Sequence, residues 1–208
     1  MAQLSYTTLA GCGDTTYEEK KSVFIGEAAP VTTEDEALAF LASVKAKYPD
    51  ARHHVYAYLL REGAKNRYSD DHEPQGTAGI PVLDVLRKGG ITDAVIVVTR
   101  YFGGTLLGAG GLVRAYTAAA AGAVKAAGSL TYRTYRPFTL AVNYTDYNRL
   151  LPELSRDGLR VLGTEFAEGV LLSLTIPAEA YEGFVLFVTE ALAGRAQITP
   201  ADTVFDHD

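Results

Sequence analysis

The hydrophobic positions in the first part of the chain predict a strand followed by a helix. Residues 15–30 have an extended pattern that ends at Pro30. Thr33 and Glu36 have the spacing of a helix capping box, and the apolar residues after them recur at helical intervals as far as Tyr48. We expect the first helix between these points.

A long polar segment separates the next strand from the next helix. His54–Leu60 is rich in aromatic and branched residues and predicts the strand. Pro81 suits the first turn of a helix that ends at Gly89-Gly90. Residues 61–79 lie between the two, and such a polar connection is long for a compact domain, which favours a functional role.

A buried strand and an alanine-rich helix follow. Asp93–Arg100 contains a continuous apolar run, as expected for a strand that is covered on both faces. A glycine-rich turn comes next, and a helix is predicted over residues 112–127, ending at Gly128.

The pattern changes at residues 129–137, a polar stretch that we interpret as the boundary between two domains, 1–132 and 133–208. The second domain has the order βαββαβ, which predicts a ferredoxin-like antiparallel sheet with two helices on one face. The expected fold class is therefore α+β. The predicted elements are a strand at Phe138–Tyr144, a helix capped by Asp146 and reaching about Arg156, a turn at Asp157-Gly158, strands at 160–167 and 170–176 joined by Glu168-Gly169, a helix at Ala178–Ala193 and a strand at Ile198–Phe205.

The composition is typical of a soluble globular protein, with 48% hydrophobic and 21% charged residues in a chain of 208. No apolar run approaches the roughly 20 residues of a membrane helix, and the first residues lack the pattern of a signal peptide. Cys12 is the only cysteine, which excludes an intrachain disulfide and a cysteine metal site. We expect a cytoplasmic protein without a membrane partner.

Charge is distributed unevenly along the chain. Residues 1–134 contain 14 basic and 14 acidic side chains, whereas residues 135–208 contain 5 basic and 11 acidic ones. The second part should repel nucleic-acid phosphates. Any nucleic-acid interface is therefore expected in the first part, and no DNA partner is expected.

One run of polar residues, Ser69-Asp70-Asp71-His72-Glu73, carries three carboxylates. Such a group of acids can hold a divalent cation through oxygen, which would suit a metal-dependent hydrolase. Adjacent residues point in different directions, however, so the alternative is that one acid caps a turn and the others are solvated. His53 or His54 could add one nitrogen ligand but not two, because neighbours in a strand face opposite sides.

The segment from Arg100 to Arg114 runs from the buried strand through several glycines into the start of a helix. Free backbone N–H groups at such a junction suit a phosphate or a carboxylate. The segment matches neither Gly-x-Gly-x-x-Gly nor a Walker loop. The glycines would serve equally well for a tight turn and close packing of the helix on the sheet, so both interpretations remain open.

Basic and aromatic residues, which are common on protein surfaces, occur within and near these two segments. Together they suit stacking on single-stranded bases and pairing with phosphates, and they suit the hot spots of protein interfaces equally well. The residues are Arg52, His53, Arg67, Tyr68, Arg100, Tyr101, Arg114 and Tyr116.

Three motifs resemble the Impact/YigZ family, and Arg52-His53-His54 also fits its pattern. The motifs are Ser69-Asp-Asp-x-Glu-Pro-x-Gly-Thr-Ala-Gly-x-Pro81, Arg100-Tyr-Phe-Gly-Gly and Leu107-Gly-x-Gly-Gly-Leu-Val-Arg-Ala-Tyr116. The resemblance covers about residues 16–130, and the segment after it resembles the small domain that bacterial YigZ-type members add. His72 stands where the family usually has glycine, and a positive φ at that position would strain a histidine.

The resemblance implies a first domain with the fold of ribosomal protein S5 domain 2 and a second domain similar to domains of elongation factor G. Eukaryotic members regulate translation by binding a protein that activates a stress kinase. We expect a non-enzymatic factor linked to translation, whose N-terminal domain binds RNA, the ribosome or a translation-related protein. The alternatives are a metal-dependent hydrolase and a pure protein-binding adaptor. No cofactor or metal is expected.

In the expected binding surface, arginines hold phosphate or carboxylate, acids orient the arginines or the loop backbone, and glycines shape the backbone. No catalytic residue is predicted. The surface comprises Arg52, His53, Arg67, Tyr68, Ser69, Asp70, Asp71, Glu73, Gly76, Thr77, Arg100, Tyr101, Gly103, Gly104, Gly110, Gly111, Arg114 and Tyr116.

Overall fold

The computed structural model describes residues 5–156 and 158–207 and has a mixed α+β fold. Its internal contacts divide the chain into two units. The N-terminal unit is Tyr6–Thr131, and the C-terminal unit begins at Tyr132 and includes Ser5. The expected α+β class with two domains is confirmed.

Among the described residues before Ser129, the chain forms six β-strands and three α-helices, together with a short 3₁₀ helix at Glu62–Ala64. Five of these strands form one sheet in the spatial order β2-β3-β6-β4-β5, in which every neighbouring pair is antiparallel. The elements are β1 (Ser5–Leu9), β2 (Gly13–Glu19), β3 (Ser22–Pro30), α1 (Glu34–Lys47), β4 (His53–Leu59), β5 (Asn66–Ser69), α2 (Gly79–Lys88), β6 (Ala94–Tyr101) and α3 (Gly108–Ala127).

The sheet has helices on both faces. Helix α1 packs on one face, where its Leu41 and Val44 share an apolar cluster with Val97 of β6. Helices α2 and α3 cover the other face, where Leu83 and Val98 lie in a second cluster. Since Val97 and Val98 point to opposite faces, β6 is buried on both, as its apolar run predicts.

Helix α3 lies directly against β2 and β3. A Cβ atom at Gly26 of β3 would come within 2.4 Å of the carbonyl oxygen of Ala119, so this close approach requires glycine. The many alanines of α3 suit the same approach, because small side chains let the helix backbone come near the sheet. None of the described helices, α3 included, is long and apolar enough to cross a membrane.

The C-terminal unit contains a second sheet with the order β10-β7-β9-β8, again antiparallel throughout. One apolar cluster joins it to two helices, since it contains Leu140 and Leu172 of the sheet, Leu150 of the first helix of this unit, and Phe184 and Val188 of the second. Strand β11 pairs with the earlier part of β7. The elements are β7 (Ser129–Val142), α4 (Tyr144–Leu150), β8 (Arg160–Phe166), β9 (Val170–Pro177), α5 (Tyr181–Ala191), β10 (Gln197–Pro200) and β11 (Val204–His207).

An ion pair fastens the start of α4 in this unit. The guanidinium of Arg195 donates two hydrogen bonds to the carboxylate of Asp146, at 3.0 and 2.7 Å. These bonds hold the pKa of Asp146 below its ordinary value. The side chain that caps the helix is Asn143, whose Oδ1 accepts from the Asp146 N–H at 2.8 Å, and not Asp146 as predicted.

Three local predictions for the first part of the chain need correction. Asn66–Ser69, within the predicted polar connection, is strand β5; an exposed polar edge strand leaves no hydrophobic alternation to recognise. Helix α3 begins at Gly108 and not at residue 112, because glycines in its first turn hide the helical pattern. The extended segment 15–30 is a hairpin with Lys20-Lys21 at its turn.

Corrections also apply to the second part of the chain. Residues 129–137, for which no strand was predicted, belong to strand β7, which is held by pairing with β9 and β11. The division between the two units falls within this stretch, between Thr131 and Tyr132. The predicted strand at 198–205 is two short strands, and the helix predicted from Ala178 begins with a 3₁₀ turn before α5. Asp157 of the predicted turn lies outside the described residues.

Candidate functional site

The acidic loop, defined here as residues 69–79, is organised by the carboxylate of Asp70. Its Oδ2 accepts a hydrogen bond from the N–H of Gly76 at 2.8 Å. Its Oδ1 accepts from the N–H groups of Ala78 at 3.1 Å and Gly79 at 2.8 Å, where α2 begins. These N–H groups have no partner within the helix, so Asp70 shapes the loop and caps α2 from outside it.

Asp71 attaches the acidic loop to the start of β4. Its Oδ2 accepts from the backbone N–H of His54 at 2.6 Å. Its carbonyl oxygen accepts from Nδ1 of His53 at 2.8 Å. The hydroxyl of Ser69 accepts from the Asp71 N–H at 3.1 Å. Both serine and aspartate are therefore occupied in holding the loop in place.

The side chain of Glu73 points into the interior of the N-terminal unit and forms a buried ion pair with Arg100. Its Oε1 accepts from Nη1 of Arg100 at 2.6 Å and from the hydroxyl of Tyr116 at 2.8 Å. The two charged side chains are only 4% and 7% exposed. Burial, and then the charge of Glu73, raises the pKa of Tyr116. Arg100 and Tyr116, grouped above with residues common on surfaces, are interior residues that position the loop.

The three carboxylates do not converge. Each one of Asp70, Asp71 and Glu73 binds a different set of donors in the protein. Within residues 5–156 and 158–207, no group of three or more His, Cys, Asp or Glu side chains is placed to hold a metal ion. This arrangement favours the structural interpretation of the acids over a cation site.

His72 has a left-handed backbone conformation, which is the conformation that favours glycine, the residue expected at this position. Its φ is +71°, that of Asp71 is +42°, and the histidine side chain is 87% exposed. The histidine ring has no buried contact to lose at this site. We expect His72→Gly to raise the free energy of unfolding by about 0.5–1 kcal/mol, because glycine adopts this conformation without the Cβ penalty.

Denaturant titration of the two proteins measures this change. Gln75→Gly is a matched control in the same loop, because Gln75 is exposed and is not among the residues with positive φ. It should lower stability by about 0.5–1 kcal/mol. A His72→Gly protein that is less stable than the wild type would contradict the account of strain at this position.

A cavity of about 310 Å³ opens at the edge of the sheet where β6 ends and β4 begins. We call it the strand-end cavity. Arg52 is exposed at its rim, and Phe102 is 55% exposed. The hydroxyl of Tyr101 donates to Oδ1 of Asp50 at 3.0 Å, which fixes the ring. The lining residues are Asp50, Arg52, His53, Arg100, Tyr101 and Phe102.

The glycine turn, residues 103–108, leads from this cavity into α3. The N–H of Gly103 donates to Oγ of Ser22 at 3.1 Å, and a Cβ there would lie 2.0 Å from the carbonyl carbon of Lys21. Glycine is therefore required where the turn touches the β2–β3 hairpin. Gly104 has a φ of +84°. Gly104 and Gly110 are exposed and border open space, whereas Gly111 is buried at the start of α3.

The other predicted site residues are dispersed. Arg67 and Tyr68 are exposed on the edge strand β5, where Arg67 lies 3.8 Å from Glu34. Arg114 is exposed on α3. Thr77 is buried, and its hydroxyl donates to the carbonyl of Pro74 at 2.7 Å. Of the predicted residues, only Arg52, His53, Arg100 and Tyr101 line the strand-end cavity.

Sequence reasoning missed three residues at this end of the sheet. Phe102 and Asp50 line the cavity, and Lys21 touches the glycine turn through its backbone. Phe102 lies inside the Arg100-Tyr-Phe-Gly-Gly motif, so an exposed aromatic residue could have been expected there. No local signal marked Asp50 or Lys21, because their proximity arises from the pairing of β3, β6 and β4.

Comparison with known proteins gives two matches to families. The Impact N-terminal domain matches residues 20–124, and a domain of unknown function, DUF1949, matches residues 140–195. The IMPACT family member YvyE of Bacillus subtilis is 32% identical over 202 residues, covering 97% of this chain and 93% of the relative. YigZ of Escherichia coli is 35% identical over 187 residues, covering 87% and 90%.

Two further similarities concern a solved structure and a eukaryotic protein. A crystal structure described as that of a hypothetical protein has 31% sequence identity and a TM-score of 0.60, and the match covers 97% of this chain and 99% of that one. Protein IMPACT of Rattus norvegicus is 31% identical over 94 residues, covering 43% of this chain and 30% of the rat protein. The eukaryotic similarity is thus confined to part of each chain.

Proposed function

Because this chain belongs to the IMPACT family, we propose that it is a cytoplasmic, non-enzymatic factor linked to translation, whose N-terminal unit binds RNA. The link to translation is carried over from the family. The proposal that RNA is the ligand rests on the strand-end cavity. Arg52 at its rim is exposed and has no ion pair with another described residue.

The chemistry of the strand-end cavity suits a nucleic-acid strand better than a small neutral ligand. The guanidinium of Arg52 is available for a phosphate. The ring of Phe102 is 55% exposed, with the guanidinium of Arg100 5.7 Å from its centroid, and its exposed part is available for a base. Tyr101 is held by its bond to Asp50 and presents a fixed wall. The glycine turn beside them leaves backbone open to the approach of a ligand.

We also propose a specific fold for each of the two units. The order β10-β7-β9-β8, with connections βαββαβ, supports a ferredoxin-like C-terminal domain similar to a domain of elongation factor G. For the N-terminal unit we propose the fold of ribosomal protein S5 domain 2. These likenesses are an analogy at the level of fold and carry less weight than the cavity.

A pure protein-binding adaptor is the second candidate, and the exposed apolar side chains favour it. Leu106 in the glycine turn is 83% exposed, and Phe102 is 55% exposed. Exposed apolar residues this close in sequence suit a protein interface. A pull-down with and without nuclease separates the two candidates. A stoichiometric protein partner that survives nuclease supports the adaptor, and a nuclease-sensitive partner supports RNA binding.

Arg52→Ala should weaken binding to single-stranded RNA and reduce its dependence on salt. One lost phosphate contact lowers the slope of log K against log salt concentration by about 0.7 for a single strand. Fluorescence anisotropy with a labelled oligouridylate, titrated between about 50 and 200 mM salt, measures both quantities. Arg87→Ala is the matched control, since Arg87 is an exposed arginine on α2 that does not line the cavity.

Two results would contradict the proposal. A wild-type protein without salt-dependent RNA binding would remove the RNA function altogether. Equal effects of Arg52→Ala and Arg87→Ala would show that RNA binds without using the strand-end cavity.

A further inference from the structure

The β2–β3 hairpin has an unusual turn at the same end of the sheet as the strand-end cavity. Glu19 and Ser22 are paired, and the two residues between them, Lys20 and Lys21, have φ values of +47° and +66°. Positive φ at both positions is the conformation of a type I′ turn, which prefers Asn-Gly. Lysine has a Cβ and no side-chain hydrogen bond that favours this conformation, so two lysines here are strained.

Both lysines are exposed, and their ammonium groups are unused. Among the described residues, neither Lys20 nor Lys21 takes part in an ion pair. The nearest acid in sequence, Glu19, receives a hydrogen bond from the hydroxyl of Tyr17 at 3.2 Å. Backbone strain that brings no contact in the folded protein is typical of functional sites.

The turn is held firmly beside the glycine turn. The backbone of Lys21 fills the space that a side chain at residue 103 would need, and Gly103 donates to Oγ of the buried Ser22. Phe102 is the residue immediately before Gly103 and lines the cavity. The backbone of the lysine turn therefore lies at a fixed place relative to the backbone of Phe102.

The strand order sets the distance from the lysines to Arg52. Strands β3, β6 and β4 are neighbours, with Phe24 opposite Arg100 and His53 also opposite Arg100. The hairpin turn precedes β3 and Arg52 precedes β4. Two strand spacings of about 4.8 Å therefore separate the backbones of the two basic segments by about 10 Å across the sheet, and Lys21 lies two register positions further along the strands than Arg52. Phe102 directly follows the central strand β6, so its backbone lies between those of the two basic segments.

We propose that this end of the sheet is a binding track for single-stranded RNA, with phosphates on Lys20 and Lys21 at one side and on Arg52 at the other, and a base stacked on Phe102 between them. This inference rests on the proposed RNA function and adds to it the ligand class and two contacts. Basic groups on both sides of an aromatic ring are the arrangement that single-stranded nucleic acids use. A duplex keeps its bases stacked inside and offers none to the ring.

The test uses a variant that removes the charges and keeps the turn. Lys20→Asn/Lys21→Gly introduces the preferred type I′ pair, so the protein should remain folded and have an unchanged or higher Tm. Binding to an oligouridylate of about 12 nucleotides should weaken, and the salt slope should fall by about 1.4 for two phosphate contacts. Phe102→Ala should weaken binding by about 5- to 150-fold, the range for one stacked base.

Matched controls separate this site from general charge effects. Lys88→Gln/Lys125→Gln removes two exposed lysines from α2 and α3 of the same unit and should bind RNA much like the wild type. Lys20→Arg/Lys21→Arg should retain binding. Inorganic tripolyphosphate tests for phosphate binding alone, and it should not displace the RNA at equal concentration.

Each outcome decides the proposal. Wild-type protein that binds RNA, together with unchanged binding by Lys20→Asn/Lys21→Gly and Phe102→Ala, would overturn this site and leave the RNA function standing. Absence of RNA binding by the wild type would overturn both. Efficient displacement of the RNA by tripolyphosphate, or equal affinity for duplex and single-stranded RNA, would contradict the proposal that a base stacks on Phe102.

Discussion

Glu73→Gln should lower the free energy of unfolding by about 3–5 kcal/mol. Glutamine has nearly the same shape, but it leaves the guanidinium of Arg100 buried without a counter-charge. The pair is 2.6 Å long, and both side chains are almost wholly inaccessible. Urea denaturation of wild type and variant at pH 7 measures the loss.

Two further variants show that the loss comes from the buried charge. Glu18→Gln removes an exposed glutamate from β2 and should change stability by about 0.5 kcal/mol or less. Replacing both partners, as in Glu73→Gln/Arg100→Met, should recover most of the stability, since no uncompensated charge remains. A Glu73→Gln protein as stable as the wild type would show that the ion pair does not hold the loop in place.

Asp70→Ala should lower the free energy of unfolding by about 2–4 kcal/mol, because three backbone N–H groups lose a charged acceptor. The groups belong to Gly76, Ala78 and Gly79, and two of them begin α2. Asp70→Asn should have an intermediate effect, since an amide oxygen can replace Oδ1 while the amide nitrogen cannot accept from Gly76. Thermal unfolding together with amide hydrogen exchange measures the effect.

Hydrogen exchange distinguishes a local role from a general loss of stability. In Asp70→Ala, protection should fall first at the amides of residues 76–79. Asp84→Ala, at a partly exposed position on α2 whose lysine and arginine neighbours lie 3.8–3.9 Å away, is the control and should cost about 0.5 kcal/mol or less. Unchanged protection at 76–79 in Asp70→Ala would contradict the organising role of this carboxylate.

Regular elements with a strong local signal were predictable from sequence. The capping box of α1 is present, with Thr33 Oγ1 accepting from the Glu36 N–H at 3.2 Å. The continuous apolar run of β6 is buried on both faces, as expected. Family membership also followed from sequence, because the motifs are long and their spacing is fixed. In these segments, local propensity and tertiary environment favour the same structure.

Features that depend on contacts far apart in sequence were not predictable. The polar edge strand β5 exists because β4 pairs with it, and the polar residues 129–137 form a strand because β7 has partners on both sides. The type I′ turn has a Lys-Lys sequence that gives no turn signal. In each case tertiary pairing overrides a weak local preference.

The grouping of basic and aromatic residues by type corresponds only in part to where they lie in the fold. Arg52 and Tyr101 line the strand-end cavity, whereas Arg67 lies on β5 and Arg114 on α3. Arg100 is also a basic residue, but its side chain is buried against Glu73. Only this burial, which the sequence does not show, distinguishes it from the exposed Arg52. Residue type alone therefore did not separate exposed residues from buried ones that support the loop.

Mapping of ultraviolet cross-links between the full chain and single-stranded oligouridylate tests the central claim most directly, namely that RNA binds at the end of β3, β6 and β4 in the N-terminal unit. We expect cross-linked peptides that contain Phe102 and the Lys20-Lys21 turn, and we expect these cross-links to be lost as the salt concentration increases. Cross-links confined to residues 132–207, or the absence of any cross-link at low salt, would contradict it.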